Sequence, residues 1–211
     1  MTDETVEFAS LMCSRLCHDL LSPVGSFGNG LELLADENDP AMRQNFFDLL
    51  DTSSRSAINK LKFFRLSFGS AGGYGDDIAP DEIASALQGL VADGKTVAIG
   101  WVGDVGPLAK PAARTLLLLA QVVVEALVRG GRIDMAAEQR DGRIEIAVRG
   151  AGDRVVIDSA SEAAFADASH EPTPKTVGIA LARRIAGNRG GEVMLSRPGD
   201  GEIVVGAIVP L

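Results

Sequence analysis

Two long stretches of helical periodicity fill the first third of the chain. Over residues 6–35, apolar side chains recur at Leu16, Leu20, Val24, Phe27, Leu31 and Leu34. At about 100° per residue these fall within roughly an 80° arc, one face of a helix. DENDP, residues 36–40, interrupts the pattern with a turn in which Asp39 is placed to cap and Pro40 to open the next helix. A second stripe follows over residues 41–68: Phe46, Leu50, Ser54, Ala57, Leu61, Phe64 and Phe68. GSAGGYGDD, residues 69–77, then breaks all periodicity and predicts a linker.

Beyond the linker, helical and extended patterns alternate. IASALQGLVAD after Pro80 predicts a helix, TVAIGW a strand, and residues 111–129 a long apolar helix. RIDMAAEQ, GRIEIAV and RVVID predict three strands, followed by a short helical segment near residues 161–167 and a polar loop. VGIALARRIAGN predicts a last helix before a hairpin of GEVMLSR and EIVVGAIVP, joined at PGDG. Strands separated by short turns argue for a mixed or antiparallel sheet covered by helices, an α+β sandwich.

Charge removes some function classes. The net charge is −9 and the pI about 4.7, with no basic stripe, which argues against nucleic acid and for a partner with a basic surface. The longest apolar run, residues 116–128, is about 13 residues long, against the roughly 20 that a bilayer span needs. It is broken by Gln121 and Glu125, and predicts a buried helix rather than a membrane segment. The opening residues are acidic, so no secretory leader is read and a cytoplasmic protein is expected. Cys13 and Cys17 lie one helical turn apart, badly placed for a mutual disulfide, which fits a reducing compartment. CSRLCH has one residue too many for a haem-attachment motif.

Burial predicts self-association. A two-helix hairpin hides only part of its stripes, and roughly a dozen large apolar side chains line these two, at about 1.5–3 kcal/mol for each one fully buried. Leaving half of them wet would forfeit on the order of 10 kcal/mol. Pairing two hairpins around a two-fold axis into a four-helix bundle recovers it.

One residue stands out for chemistry. His18 lies two residues past Leu16, which turns it roughly 200° around the helix, almost opposite the stripe and on the side shared by Leu11, Ser22, Gly25 and Asn29. A core histidine is therefore not expected there. Ser22 and Gly25 leave the next two turns bare, so another protein's surface can approach. Pro23 removes a backbone hydrogen bond just past the ring, at a cost of about 3 kcal/mol, and predicts a bend. An imidazole standing in water offers a nucleophilic nitrogen.

HDLLSP, residues 18–23, matches the H-box of bacterial sensor histidine kinases: a histidine, an acid, apolar residues and a proline at the fifth position. RLCHDLLSP on an acidic helical hairpin, followed by a kinase-like region, resembles the ChpT-type histidine phosphotransferases of alphaproteobacteria over essentially the whole chain. The resemblance implies a hairpin at residues 1–70 that forms a dimeric four-helix bundle and carries the phosphoryl-accepting histidine. It further implies a linker at residues 71–77 and, at residues 78–211, a degenerate copy of the histidine-kinase ATPase-like (Bergerat) sandwich. Where kinases carry two asparagines four apart to hold magnesium and phosphate, the matching helix, LAQVVVEAL, holds Gln121 and Glu125. A DxGxG adenine box is absent from RGAGDRVVID, and the phosphate loop is reduced to TVGIALARR, with Gly178 kept and Ala180 where a second glycine belongs. A Cβ there obstructs the backbone approach that phosphate loops depend on.

The implied function is a histidine phosphotransferase, with His18 relaying a phosphoryl group between receiver domains, from a hybrid kinase's receiver to response regulators, without ATP. No cofactor is expected on this chain, the Mg²⁺ being supplied by the receiver. Asp19 either orients the ring or accepts its proton, or is a solvated surface acid; as neighbours on a helix do not face one another, its contact with His18 would need a long reach. Arg15 either offsets charge on phosphohistidine or meets an acidic receiver pocket, or is simply exposed. Ser22 sits where kinases with phosphatase activity carry Thr or Asn, or is a surface serine. His170, in a polar loop, is given no role. Two other readings compete: an active kinase with an atypical ATP pocket, and a non-catalytic module that binds receivers or kinases.

Overall fold

The computed structural model describes residues 3–69, 77–92, 95–188 and 190–211. Most of the expected linker, residues 70–76, lies outside the described residues. Helices α1 (Asp3–Asp36) and α2 (Pro40–Phe68) form an antiparallel hairpin. The turn between them works as its residue types predict. The Asp39 carboxylate accepts from the amides of Ala41 at 2.7 Å and Met42 at 3.2 Å, with Pro40 in the first turn. Arg43 reaches back to the carbonyls of Leu34 and Glu37 at the end of α1.

The rest comprises β1 (Asp77–Ile78), α3 (Pro80–Val91), β2 (Val97–Trp101), β3 (Leu108–Ala109), α4 (Lys110–Ala126), β4 (Gly131–Arg140), β5 (Arg143–Ala151), α5 (Ser159–Ala166), α6 (Val177–Gly187), β6 (Glu192–Ser196) and β7 (Glu202–Pro210). Five strands make a mixed sheet in the order β2-β4-β5-β7-β6, parallel between β2 and β4 and antiparallel elsewhere; β1 and β3 form a separate two-residue pair. Alternation sorts the central strands cleanly. Ile133 and Met135, Ile144, Ile146 and Val148, and Ile203, Val205, Ala207 and Val209 are buried on the helix-covered face. Helix α4 is apolar on nearly every side because the sheet lies on one flank and α2, α3 and α6 on others. It lies close against β5 because Gly150 has no side chain: a methyl there would run into Val123 of α4 and come within 3.0 Å of Ile203.

Two expectations fail here. RVVID is not a strand. Both flanks of β5 are taken by β4 and β7, so the segment hydrogen-bonds the residues leaving α4 instead, Val128 N–H to Arg154 O and Val156 N–H to Ala126 O, with one bridge at Val155. The long apolar helix also stops at Ala126 rather than 129, where Leu127 leaves helical geometry.

The hairpin is rooted in the sandwich. Phe63, Phe64 and Leu66 of α2 belong to the same buried cluster as α3, α4 and the sheet. Arg114 of α4 donates to the carbonyls of Ser67 and Phe68, the last of α2. At the other end, the Arg184 guanidinium of α6 stacks 3.8 Å from the Phe8 ring centre and pairs with Glu4. Among the described residues no helix is long and apolar enough to cross a membrane.

Helix α5 offers a pH test. Burial raises the Asp158 pKa, but hydrogen bonds from the Ser161 hydroxyl and amide and from Lys175 outweigh it and bring it down from 3.8 to about 2. A depressed carboxylate pKa contributes stability at pH values above its unfolded value, and that stability is lost as pH falls through the folded value. Denaturant titrations of wild type and Asp158→Asn should therefore differ near neutral pH, wild type being more stable, and converge as pH falls from about 4 to about 2. A gap that persists below that window would contradict the assignment.

Candidate functional site

His18 projects from the first half of α1 with its side chain 83% exposed. Ser22, Gly25 and Asn29 along the same wall are exposed, and a Cβ built on Gly25 would meet nothing within 4 Å. The expected bare approach is present. The ring is nonetheless held, with Nδ1 3.0 Å from Asp19 Oδ1. The long reach expected for adjacent helical residues is not needed, because Nδ1 sits close to the backbone and the short Asp19 side chain meets it there. With the Asp19 carboxylate as acceptor the ring donates through Nδ1, the tautomer in which Nε2 keeps its lone pair.

Asp19 is itself pinned. Its other oxygen accepts from Arg15 Nε at 2.7 Å, one turn earlier on α1. The same guanidinium donates through Nη2 to Glu125 Oε1 of α4, and through Nη1 to the Lys175 carbonyl at 3.3 Å, just before α6. Arg15 is not the exposed arginine that its position on a surface helix suggested; its side chain is 14% exposed. Burial works against its charge, but the Glu125 and Asp19 carboxylates more than offset this and its pKa is raised.

Pro23 is buried inside α1, which continues through it to Asp36. The proline cannot donate to the carbonyl four residues back, which is that of Asp19. Lys60 of α2 takes the vacated place, its Nζ 3.0 Å from Asp19 O. Asp19 is thus held at its side chain by Arg15 and at its backbone by the facing helix.

The kinase-like positions fall on α4 and α6. Gln121 is buried in α4, and Glu125 one turn on faces the hairpin and pairs with Arg15. Gly178 and Ala180 lie in the first turn of α6, where the Thr176 and Val177 amides donate back to the Thr173 carbonyl. Among the described residues, no group of three or more His, Cys, Asp or Glu side chains is placed to hold a metal ion. Lys60 and the Lys175 carbonyl were invisible to sequence reasoning. Glu125 left a signal, as one of two polar residues within the apolar run 116–128, but nothing in the sequence links it to Arg15.

Residues 80–201 match the family described as histidine phosphotransferase C-terminal domain. The chain is 34% identical over 156 residues to protein phosphotransferase ChpT of Brucella abortus (strain 2308), covering 71% of each. The fold superposes on a solved bacterial phosphotransferase with a TM-score of 0.82 at 25% identity, over 98% of both chains. It also superposes on histidine kinase ThkA, solved in complex with response regulator protein TrrA, with a TM-score of 0.52 at 16% identity; this match covers 98% of this chain and 63% of the other.

The Lys60 contact predicts a specific non-additivity. In the wild-type background, Lys60→Met leaves a part-buried carbonyl unpaired and should cost about 1–3 kcal/mol. In a Pro23→Ala background residue 23 regains its N–H, Asp19 O is bonded within the helix, and the same substitution should cost far less. Equal costs in both backgrounds, by chemical denaturation, would rule the compensation out.

Proposed function

The chain belongs to the histidine phosphotransferase family, and from that membership we propose that His18 is the residue on which its phosphoryl group is carried. It is a phosphotransferase; the proposal is that the transfer is a relay between receiver domains, from a hybrid kinase's receiver to a response regulator's. One observation carries this reading above the others. A half-buried acid holds Nδ1 of a histidine whose side chain otherwise stands in water, so that Nε2 is the nitrogen left for a visiting phosphate.

The chemistry follows from that arrangement. A receiver docks along the bare wall of α1, over Ser22 and Gly25, and brings its aspartyl phosphate to Nε2. The Nε2 lone pair forms a bond to phosphorus as the acyl-phosphate P–O bond breaks, and the bonding pair returns to the receiver's carboxylate. The ring keeps its proton on Nδ1 and gains positive character, which Asp19 faces from 3.0 Å. In the reverse step a second receiver's carboxylate oxygen bonds to phosphorus as the N–P bond breaks, and the bonding pair returns to Nε2. Mg²⁺ and a lysine brought by the receiver would neutralise the phosphoryl oxygens, so this chain needs only a positioned nucleophile.

ATP has no part in this reading. Glu125, at a position where kinases hold nucleotide-bound magnesium, is engaged by Arg15, and the loop before α6 already uses two of the amides at its start. Residues 1–70 are read as the acceptor and dimerisation unit and residues 78–211 as a pseudo-ATPase unit. A cytoplasmic setting suits the free, exposed thiols of Cys13 and Cys17. The hairpin dimerises into a four-helix bundle. Val24, Phe27 and Leu31 of α1, and Phe47, Ile58 and Leu61 of α2, form stripes that the hairpin does not cover.

A phosphorylated receiver from a hybrid kinase should label the wild-type chain and leave His18→Ala unlabelled, whereas labelled ATP alone should label neither. Self-labelling by ATP would return the chain to the kinases; label retained by His18→Ala would move the site elsewhere. Light scattering at micromolar concentration should give twice the chain mass, and a monomer there would refute the bundle.

A further inference from the structure

The guanidinium of Arg15 occupies an unusual position for a residue next to a phosphoryl acceptor. All three of its nitrogens are committed, each to a different element: Nε to Asp19 on α1, Nη2 to Glu125 on α4 and Nη1 to the carbonyl of Lys175 before α6. An arginine kept for a visiting phosphate would present its planar fork to solvent. This one faces inward, and the acid it grips is the acid that contacts His18 Nδ1. The contacts therefore form one continuous ladder, Glu125 to Arg15 to Asp19 to His18, which crosses from the sandwich to the hairpin and ends on the reactive ring.

We infer that Arg15 and Glu125 are positioning residues which act through Asp19 to set the imidazole tautomer of His18, so that the sandwich determines whether Nε2 is a nucleophile. The inference deepens the carrier reading and rests on it. Its physical basis is the asymmetry between the two ends of the ladder. His18 stands in water, where solvent competes for either ring nitrogen, and an exposed hydrogen bond to a mobile carboxylate would hold the ring loosely. Asp19 has 18% of its side chain exposed and is fixed from two sides, by Arg15 at the carboxylate and by Lys60 at the carbonyl. Arg15 in turn reaches α4 through Glu125, the opposite charge on that side, beside its bond to the Lys175 carbonyl. Removing Glu125 leaves a half-buried guanidinium with one carboxylate instead of two. It can then follow solvent or the Lys175 carbonyl, and Asp19 loses its fixed orientation. A helix position that holds nucleotide-bound magnesium in kinases thus serves here as an anchor for the acceptor site.

The test is a comparison of the wild-type full chain with Glu125→Gln, a nearly isosteric change at a half-exposed position. Long-range ¹H–¹⁵N correlation on histidine-labelled protein reads the protonation of each His18 ring nitrogen. Transfer from a phosphorylated receiver, titrated to saturation, separates the maximal rate from docking. In wild type Nδ1 should carry the proton. In Glu125→Gln the proton should move toward Nε2, and the maximal rate should fall about tenfold, the low end of what losing an outer partner costs a metal-bound histidine, with an unchanged half-saturating receiver concentration. Arg15→Lys, which keeps one ion pair but cannot bridge two carboxylates, should fall between.

Unchanged ring shifts in Glu125→Gln overturn the inference. So does a moved proton with an unaltered maximal rate, and so does a loss confined to the half-saturating concentration, which would make these docking residues. The carrier reading fails separately: a wild-type chain that takes no label, while Glu125→Gln still moves the proton, leaves the ladder standing and removes the relay.

Discussion

A residue that must receive a group from another protein has to stand in water, and water is what loosens its orientation. With His18 as the proposed carrier, this conflict organises the molecule. Packed into place, His18 would lose that access, and its aim is instead set through the less exposed side chains of Asp19 and Arg15. Its own side chain is 83% exposed, that of Asp19 18%, and that of Arg15 14%. Each step exchanges mobility for burial, and every carboxylate or guanidinium taken out of water gains an opposite charge before it leaves.

The sandwich supplies the fixed end. Helix α4 packs against sheet and helices around most of its circumference, and its two polar residues in the apolar stretch point to separate uses, Gln121 buried and Glu125 turned to the hairpin. The hairpin is joined to this body at both ends, by the aromatic end of α2 in the common core and by Phe8 under Arg184. A carboxylate on α4 therefore has a defined distance to a guanidinium on α1, which a freely hinged pair of units would not provide.

How much of this was legible in the sequence depended on whether the deciding contact was local. Helix spans followed from periodicity, and DENDP named its own cap. The side of α1 that carries His18 followed from angular spacing alone. RVVID failed because β-propensity says nothing about whether a sheet edge is free. The second stripe was partly misassigned. Leu50 and Phe64 are buried as expected and Leu61 lies on the part that one hairpin leaves uncovered, but Ser53, Ser56 and Phe63 also share the buried face, since which neighbour covers a helix is a tertiary matter. The Asp19 contact was underestimated by treating side chains as radial spokes. Arg15 to Glu125 spans 110 positions and no spacing rule reaches it. The family resemblance rested on HDLLSP and the degraded nucleotide motifs, and the family and structural matches agree with it.

The proline in α1 has a mechanical consequence. An ordinary helix is self-contained, and its neighbour can slide or roll against it while every backbone bond stays closed. Here one bond of α1 is closed by a side chain of α2, at the level of His18. Any screw motion between the two helices opens a carbonyl beneath Asp19. The hairpin is thereby locked in axial phase beside His18, a build that suits the proposed passive courier better than a lever that must rotate to report an upstream stimulus.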